Sequence, residues 1–131
     1  MRIMIDTNVI VSAIYNQNSK PAHVLRHVCE NHGLVLCDYI VAECYDVIMK
    51  KFPHHAGVLD KLLASLSYEL VAAPREGRSM SDPKDSPILN SAIIAEVDMI
   101  ISGDKHFLSL EINYPKILSP ADYLTQATPE E

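Results

Sequence analysis

The chain has 131 residues, 48% of them hydrophobic and 21% charged, which is the composition of one globular domain with its own buried core. Its formal net charge of −6 argues against tight nonspecific binding to nucleic acid, because phosphate contacts normally need a basic surface. No apolar run approaches the roughly 20 residues that cross a bilayer, and the amino terminus does not look like a secretory signal. We therefore expect a protein of the cytoplasm.

Short apolar runs alternate with amphipathic segments along the chain, which is typical of an α/β protein. In chain order the pattern first predicts a strand at residues 3–5, helices at 9–15 and from Ser19 to Gly33, a strand at 34–37, and a helix that Asp38 caps and that runs to Lys51. It then predicts a helix at 55–67, an extended piece at 70–71, a helix at 87–95, a strand at 99–102, a helical turn at 105–108, a strand at 116–118 and a helix from Ser119.

The polar stretch at residues 74–86 predicts a loop, and residues 126–131 predict a flexible tail. Residues 1–125 then form one domain. Strands that are apolar throughout and separated by helices favour a parallel sheet covered on both faces. In such a sheet the ligand site lies at the carboxyl ends of the strands, near the point where the strand order reverses.

Acidic residues lie at the carboxyl ends of the predicted strands, where this rule places the ligand site. Asp6 directly follows the first strand, and Asp104 follows the strand at residues 99–102. Asp85 precedes a helix that begins at the same edge, and Glu43 lies one turn into the helix after the second strand. We therefore expect four carboxylates from four separate elements to meet at one rim of the sheet.

A cluster of carboxylates implies a bound cation, because like charges repel and raise each other's pKa. Oxygen ligands suit Mg²⁺ or Mn²⁺ rather than zinc, and the three cysteines form no C-x-x-C pair. Such ions can activate water and stabilise the leaving oxygen in phosphodiester hydrolysis. The cluster would also account for part of the negative net charge. The sequence leaves open whether one ion binds or two.

Each acid also has a purely structural interpretation. Asp85 and Asp104 could cap helices, which Asp does readily for about 1 kcal/mol, and one residue could do both. Glu43 could be a solvated helix residue. Asp6 is the hardest to explain structurally, because Asp is disfavoured in strands and an acid that ends a buried strand needs a partner.

Four segments, in this order, resemble the motifs of the PIN-domain family. Residues 3–8, Ile-Met-Ile-Asp-Thr-Asn, resemble its opening strand and first acid, and Val-Ala-Glu at residues 41–43 is similar to the part that carries its second acid. Residues 85–93, Asp-Ser-Pro-Ile-Leu-Asn-Ser-Ala-Ile, resemble its third motif. Residues 97–108, with Ile-Ser-Gly-Asp at their centre, resemble its closing motif. The resemblance covers nearly the whole chain.

This resemblance implies a three-layer α/β/α sandwich around a Rossmann-like parallel sheet of four to five strands. It implies an endoribonuclease that uses Mg²⁺ or Mn²⁺, usually as the toxin of a VapC-type toxin–antitoxin pair, commonly dimeric and silenced by a small antitoxin. The catalytic and metal-binding residues would be Asp6, Glu43, Asp85 and Asp104. Thr7, Asn8 and Ser102 would orient these ligands or contact phosphate.

Several alternatives remain at this stage. Asp82 lies three residues before Asp85 and competes with it as a ligand. The chain could be a catalytically weak PIN-like domain that binds metal, RNA or a protein partner without cleaving. A phosphatase that uses Asp6 as nucleophile is disfavoured because Asn8 stands where its second Asp is needed. A phosphoacceptor domain is disfavoured because no acid is paired with Asp6 in sequence.

Overall fold

The apolar runs predicted as strands pair into one sheet. The computed structural model describes residues 1–74 and 86–127. The strands are β1 (Arg2–Ile5), β2 (Gly33–Cys37), β3 (Tyr68–Val71), β4 (Met99–Ile101) and β5 (Lys116–Leu118). Their order is β3-β2-β1-β4-β5, and every neighbouring pair is parallel. The predicted α/β fold with a five-stranded parallel sheet is confirmed.

The helices follow the predicted order closely. They are α1 (Thr7–Tyr15), α2 (Lys20–Asn31), α3 (Asp38–Lys51), α4 (Ala56–Ser65), α5 (Ser86–Ile94), α6 (Lys105–Leu108) and α7 (Pro120–Ala127), with a 3₁₀ turn at Pro53–His55. Right-handed crossovers put α1 to α4 on one face of the sheet and α5 on the other. Among the described helices, none combines the length and apolar character that crossing a bilayer requires.

The inner strands form the core. The side chains of β1 after Arg2, of β2 after Gly33 and of all of β4 are buried, as expected for strands covered on both faces. The edge strand β3 differs, since Leu70 is 57% exposed. This edge position explains why the sequence showed only a two-residue extended piece there, whereas four residues of β3 pair with β2.

Two predicted helix boundaries are wrong in detail. Gly33 does not end α2. His32 occupies the C-cap position, and Gly33 is already the first residue of β2, without a positive φ. Asp38 does not cap α3, because Cys37 is the N-cap residue and makes no side-chain cap hydrogen bond. The Asp38 carboxylate instead accepts a hydrogen bond from the backbone N–H of Ala73, at 2.9 Å, and so ties α3 to the chain after β3.

The strand order reverses beside β1. The chain proceeds from β1 outward to β2 and β3, and then returns to place β4 on the other side of β1. Residue pairs Ile3–Met99 and Ile5–Ile101 set the register between β1 and β4. The residues that follow these two strands therefore meet at the topological switch point, where α/β sheets bind ligands.

Candidate functional site

Asp6 is fixed at the carboxyl end of β1. It is the N-cap residue of α1, and the backbone N–H of Thr7 donates to its Oδ1 at 2.7 Å. The hydroxyl of Ser102, which follows β4, donates to its Oδ2 at 2.8 Å. The residue is only 4% exposed. Both carboxylate oxygens are therefore held in one orientation at the switch point of the sheet.

The environment of Asp6 disfavours its charge. Burial raises the pKa of the Asp6 carboxyl above its ordinary value, the hydrogen bonds from Ser102 and Thr7 oppose this, and the nearby carboxylates of Glu43 and Asp104 raise the pKa further. The ion pairs among the described residues are Arg2–Glu69 and His106–Asp104, so neither Asp6 nor Glu43 has a cationic partner there. A bound cation would relieve this repulsion.

Glu43 is connected to Asp6 through Thr7, whose hydroxyl bonds Glu43 and whose backbone N–H bonds Asp6. It lies on α3, is half-buried, and its Oε1 accepts a hydrogen bond of 2.6 Å from the Oγ1 of Thr7. Thr7 is itself buried at the start of α1. The prediction that Glu43 leans toward the sheet is met by this contact, because a solvated helix residue would point away from β1.

Asp104 approaches from the other side and has a structural role as well. Its side chain caps α6 by accepting from the backbone N–H of His106 at 2.8 Å, as its structural interpretation predicted. Its own backbone N–H donates to the Oγ of Ser102 at 3.0 Å. The carboxylate also lies close enough to Asp6 to raise the pKa of that residue. Asp104 thus caps a helix and belongs to the same group of acids.

These contacts form one continuous chain of polar groups, which we call the acid network: Glu43, Thr7, Asp6, Ser102 and Asp104. Three of the four predicted acids are thereby linked. Thr7 and Ser102 lie between them, which suits the predicted role of orienting ligands. Asn8 is exposed in the first turn of α1.

Asp85 and its competitor Asp82 lie outside the described residues, as does most of the predicted loop at residues 74–86. Within residues 1–74 and 86–127, no three His, Cys, Asp or Glu side chains are close enough to hold a metal ion by themselves. The described acids of the network are connected through Thr7 and Ser102 instead: the two hydroxyls donate to Glu43 and Asp6, the Thr7 N–H also donates to Asp6, and Asp104 joins through its backbone N–H. Their donor chemistry fits a hard divalent cation, since every contributed side-chain donor is oxygen and the charge is negative.

A pair of cavities beside Glu43 was not predicted from the sequence. One of about 220 Å³ is lined by Glu43 and, farther along α3, by Lys50. The other, of about 430 Å³, lies between α3 and the chain after β3, and Tyr39 lines both. The i, i+4 spacing of Tyr39 and Glu43 was the available signal, because it places both residues on one face of a helix.

Comparison with known proteins places the chain in a family. The family described as PIN domain matches residues 2–106. No curated protein sequence is significantly similar to the chain. Solved structures are similar in fold. One is a chain in the structure of VapBC2 from Rickettsia felis bound to a DNA fragment from its promoter. Its TM-score is 0.69 at 21% sequence identity, and the alignment covers 90% of this chain and 97% of that one.

A second similar structure is VapC20 from Mycobacterium tuberculosis, a toxin that cleaves the sarcin-ricin loop. Its TM-score is 0.60 at 8% identity, with 84% of this chain and 96% of that one covered. At these identities the two structures establish the fold, while the family match rests on the sequence itself. From the sequence match, the strand order and the acids at the switch point, the chain belongs to the PIN-domain family.

Proposed function

We propose that this protein is a Mg²⁺- or Mn²⁺-dependent endoribonuclease that hydrolyses phosphodiester bonds of RNA, and that it is the toxin of a toxin–antitoxin pair. The observation that carries the proposal is the buried, hydrogen-bonded Asp6 carboxylate, held at the switch point with two further carboxylates beside it and a raised pKa. Asp6 also caps α1, but a cap alone does not explain a carboxylate buried beside two others, because burying such a charge without a cation destabilises a fold.

The metal would be held by Asp6, Glu43 and Asp104 of the described residues, together with Asp85 by its resemblance to the family motif. When bound, a divalent ion supplies an activated water and neutralises charge on the phosphate and the leaving oxygen. No nucleophile from the protein is needed, and none of the described residues of the acid network is a cysteine or histidine.

The chain's own residues orient and desolvate this site. The Thr7 hydroxyl fixes one Glu43 oxygen, and the Ser102 hydroxyl fixes one Asp6 oxygen. Both hydroxyl-bearing residues are buried, so their geometry is set by the packing of β1, β4 and α1 rather than by solvent. Hydrogen bonds of this kind typically raise metal affinity or activity 10–100-fold, by the cost of removing them.

RNA is the favoured substrate because VapC20, which shares the fold, is a toxin that cleaves the sarcin-ricin loop. The net charge of −6 remains compatible with this, since bound cations reverse the local sign of an acidic site. A protein that acts on RNA in this way is expected in the cytoplasm.

The resemblance to VapC-type toxins, together with the fold shared with a chain of VapBC2, leads us to propose a cognate antitoxin for the present chain. The antitoxin is expected to cover the site, and the chain is expected to form a homodimer. Light scattering of the purified protein tests the dimer. Co-expression with the product of a neighbouring gene tests the antitoxin, through formation of a complex in which nuclease activity is suppressed.

The nuclease itself is tested with purified wild type and Asp6→Asn, each incubated with fluorescent single-stranded RNAs of several sequences, with Mn²⁺ or with EDTA. We expect cleavage only by the wild type with Mn²⁺. If both proteins leave every RNA intact, the nuclease proposal is overturned and the alternative of a PIN domain that does not cleave stands. If both proteins cleave equally, the cleavage does not depend on Asp6 and does not come from the assigned site.

A further inference from the structure

The three described acids of the network differ in the groups that orient their side chains. One oxygen of Glu43 accepts the hydroxyl of Thr7, and one oxygen of Asp6 accepts the hydroxyl of Ser102. Asp104 meets Ser102 only through its backbone N–H, and no hydroxyl of the described residues bonds to its carboxylate. A different group therefore orients this third carboxylate.

His106 makes two contacts with one oxygen of Asp104. Its backbone N–H donates to the Oδ1 of Asp104 at 2.8 Å, which is the cap of α6. Its ring nitrogen Nδ1 lies 3.3 Å from the same oxygen. Among the described residues, none makes a hydrogen bond or an ion pair with the Oδ2 of Asp104. One oxygen is thus held by the protein, and the other is left for a ligand.

The cap alone fixes the plane of the Asp104 carboxylate loosely. The χ2 torsion of Asp is broad, so a single hydrogen bond from the backbone permits a range of carboxylate orientations. The Asp104 side chain is also 21% exposed, so water competes for its oxygens. A second contact, from a different atom to the same oxygen, narrows the range of orientations. The imidazole of His106 is placed to make that contact.

The backbone that carries the His106 ring is well anchored, although the ring is not. Phe107, the next residue, is fully buried and attaches α6 to the core. The hydroxyl of Ser109 donates to the carbonyl oxygen of His106 at 3.1 Å. The His106 side chain is 55% exposed, and within the described part of the chain its one polar contact is with Asp104. Packing therefore does not account for this ring, whereas the carboxylate beside it does.

We propose that His106 is a positioning residue, whose imidazole holds the carboxylate of Asp104 so that the Oδ2 oxygen can bind the divalent ion. The inference rests on the metal-dependent function proposed above and adds a residue to it. Groups that contact a metal ligand and fix its orientation typically account for about 10–100-fold in metal affinity or activity. His106 then serves the third acid as the two hydroxyls serve the other two.

The test measures Mn²⁺ binding without RNA, by isothermal titration calorimetry. His106→Ala removes the ring. His106→Asn keeps a donor as many bonds from Cα as Nδ1, whereas His106→Gln places its donor as far along the side chain as Nε2. We expect the Kd for Mn²⁺ to rise about tenfold in His106→Ala and His106→Gln, and less than about threefold in His106→Asn. The control His23→Ala removes an exposed histidine from α2 and should leave the Kd unchanged.

A double-mutant cycle shows whether the effect of the ring passes through Asp104. In the Asp104→Asn background, His106→Ala should raise the Kd for Mn²⁺ no further, because the carboxylate that the ring orients is gone. The melting temperature of His106→Ala in EDTA should stay within about 2 °C of the wild type, since the capping N–H belongs to the backbone. An equal rise of the Kd in both backgrounds overturns the positioning role. So does an equal loss in His106→Asn and His106→Ala, which would make the ring itself a ligand of the ion.

The positioning role and the nuclease proposal fail in different ways. If the wild type cleaves RNA with Mn²⁺ and His106→Ala binds the ion as tightly, the positioning role is overturned and the nuclease proposal stands. If the Kd values follow the expected pattern and no RNA is cleaved, the nuclease proposal is overturned alone. A higher KM for RNA with an unchanged Kd for Mn²⁺ in His106→Ala also overturns the positioning role, since the ring then contacts the substrate. A wild type that neither binds Mn²⁺ nor cleaves RNA overturns both.

Discussion

The two ends of the parallel sheet shift the pKa values of their acids in opposite directions. At the amino end, Asp98 accepts hydrogen bonds from the backbone N–H of Arg2 at 2.8 Å and from the hydroxyl of Tyr114 at 2.6 Å, which lower its pKa. The Arg2 guanidinium also lowers the pKa of Glu69. At the carboxyl end, Asp6 lies near two further carboxylates and has a raised pKa.

This difference separates acids that stabilise the fold from acids that the fold must tolerate. The sequence Asp98-Met-Ile-Ile-Ser-Gly-Asp104 shows it in one strand, since an acid stands on each side of β4. Hydrogen-bond donors within the protein stabilise the charged form of the acid before β4. The acid after it caps α6 and also adds to the negative charge around Asp6. Tolerated charge at a ligand-binding edge is characteristic of a functional site.

The largest expected effect comes from replacing Asp104, the acid after β4, by its amide. Asp104→Asn should lower the cleavage rate about 100-fold or more, because removing merely supporting partners of a metal ligand already costs 10–100-fold. Asn is as good a helix cap as Asp, so α6 should persist and the effect should come from the lost charge. Single-turnover cleavage of RNA with Mn²⁺ measures it.

Asp98→Asn is the matched control at the other end of the same strand. We expect it to keep the cleavage rate within about twofold and to lower the melting temperature, because the donors of Arg2 and Tyr114 favour a charged acceptor. A loss of activity in Asp98→Asn equal to that in Asp104→Asn would remove the distinction between the two ends.

Ser102→Ala should lower cleavage about tenfold by freeing the Oδ2 of Asp6, the lower end of the effect seen for such supporting hydrogen bonds. A higher Mn²⁺ concentration should restore much of the rate, since an orienting group acts through metal affinity. Titrating the rate against Mn²⁺ for both proteins checks this. If the Mn²⁺ requirement is unchanged and the maximal rate is lower, the Ser102 hydroxyl contacts the substrate and does not orient a metal ligand.

Mn²⁺ should raise the melting temperature of the wild type by about 5–10 °C when it is present at roughly 100 times its dissociation constant, which corresponds to about 2.7 kcal/mol. The ion relieves the repulsion among the acids only in the folded chain. Asp6→Asn should show less than half of this shift. Calorimetry with Mn²⁺ and with EDTA gives both values, and equal shifts would mean that the ion binds elsewhere.

The smallest expected effect is on how the stability of the metal-free protein depends on pH. Because the folded pKa of Asp6 is raised, folding is favoured as the pH falls through that value, and the charged carboxylate destabilises the fold above it. Asp98 behaves oppositely. Its folded pKa is lowered, so its stabilisation is present above its ordinary value and lost as the pH falls through the folded pKa.

Melting temperatures of the wild type, Asp6→Asn and Asp98→Asn between about pH 7 and about pH 4 distinguish these two opposite pH dependences. The melting temperature of Asp6→Asn relative to the wild type should fall as the pH is lowered. That of Asp98→Asn should rise toward the wild-type value. The same trend in both variants would contradict the assigned environments.

Much of this architecture could be predicted from the sequence because the inner strands are buried on both faces. Such strands are apolar without alternation, as in residues 3–5 and 99–101, and they fix the carboxyl edge where Asp6 and Asp104 stand. Ser19 was also predicted as a cap, and its hydroxyl accepts the N–H of Ala22. At these positions the residue type that suits the local backbone is also the one that suits the fold, so the local pattern predicts the structure.

Where a residue's partner is distant in sequence, the local pattern did not predict the contact. Asp38 has the right type and position for a cap, yet it bonds to Ala73, a partner 35 residues away that only the pairing of β2 with β3 brings near. The cavity lined by Tyr39 depends on the same pairing. The length of β3 was underestimated because an edge strand has no need to be apolar throughout. Contacts between distant segments leave no local pattern to detect.

The hydrogen bond from Ser102 to Asp6 joins residues 96 positions apart. A chain still being translated therefore carries Asp6, Thr7 and Glu43 long before it carries Ser102 and Asp104. Until β4 has emerged from the ribosome and paired with β1, the acid network is incomplete. Under the proposed nuclease function, a nascent chain that lacks β4 and the residues after it holds no complete metal site, so its activity would have to await the pairing of β4 with β1.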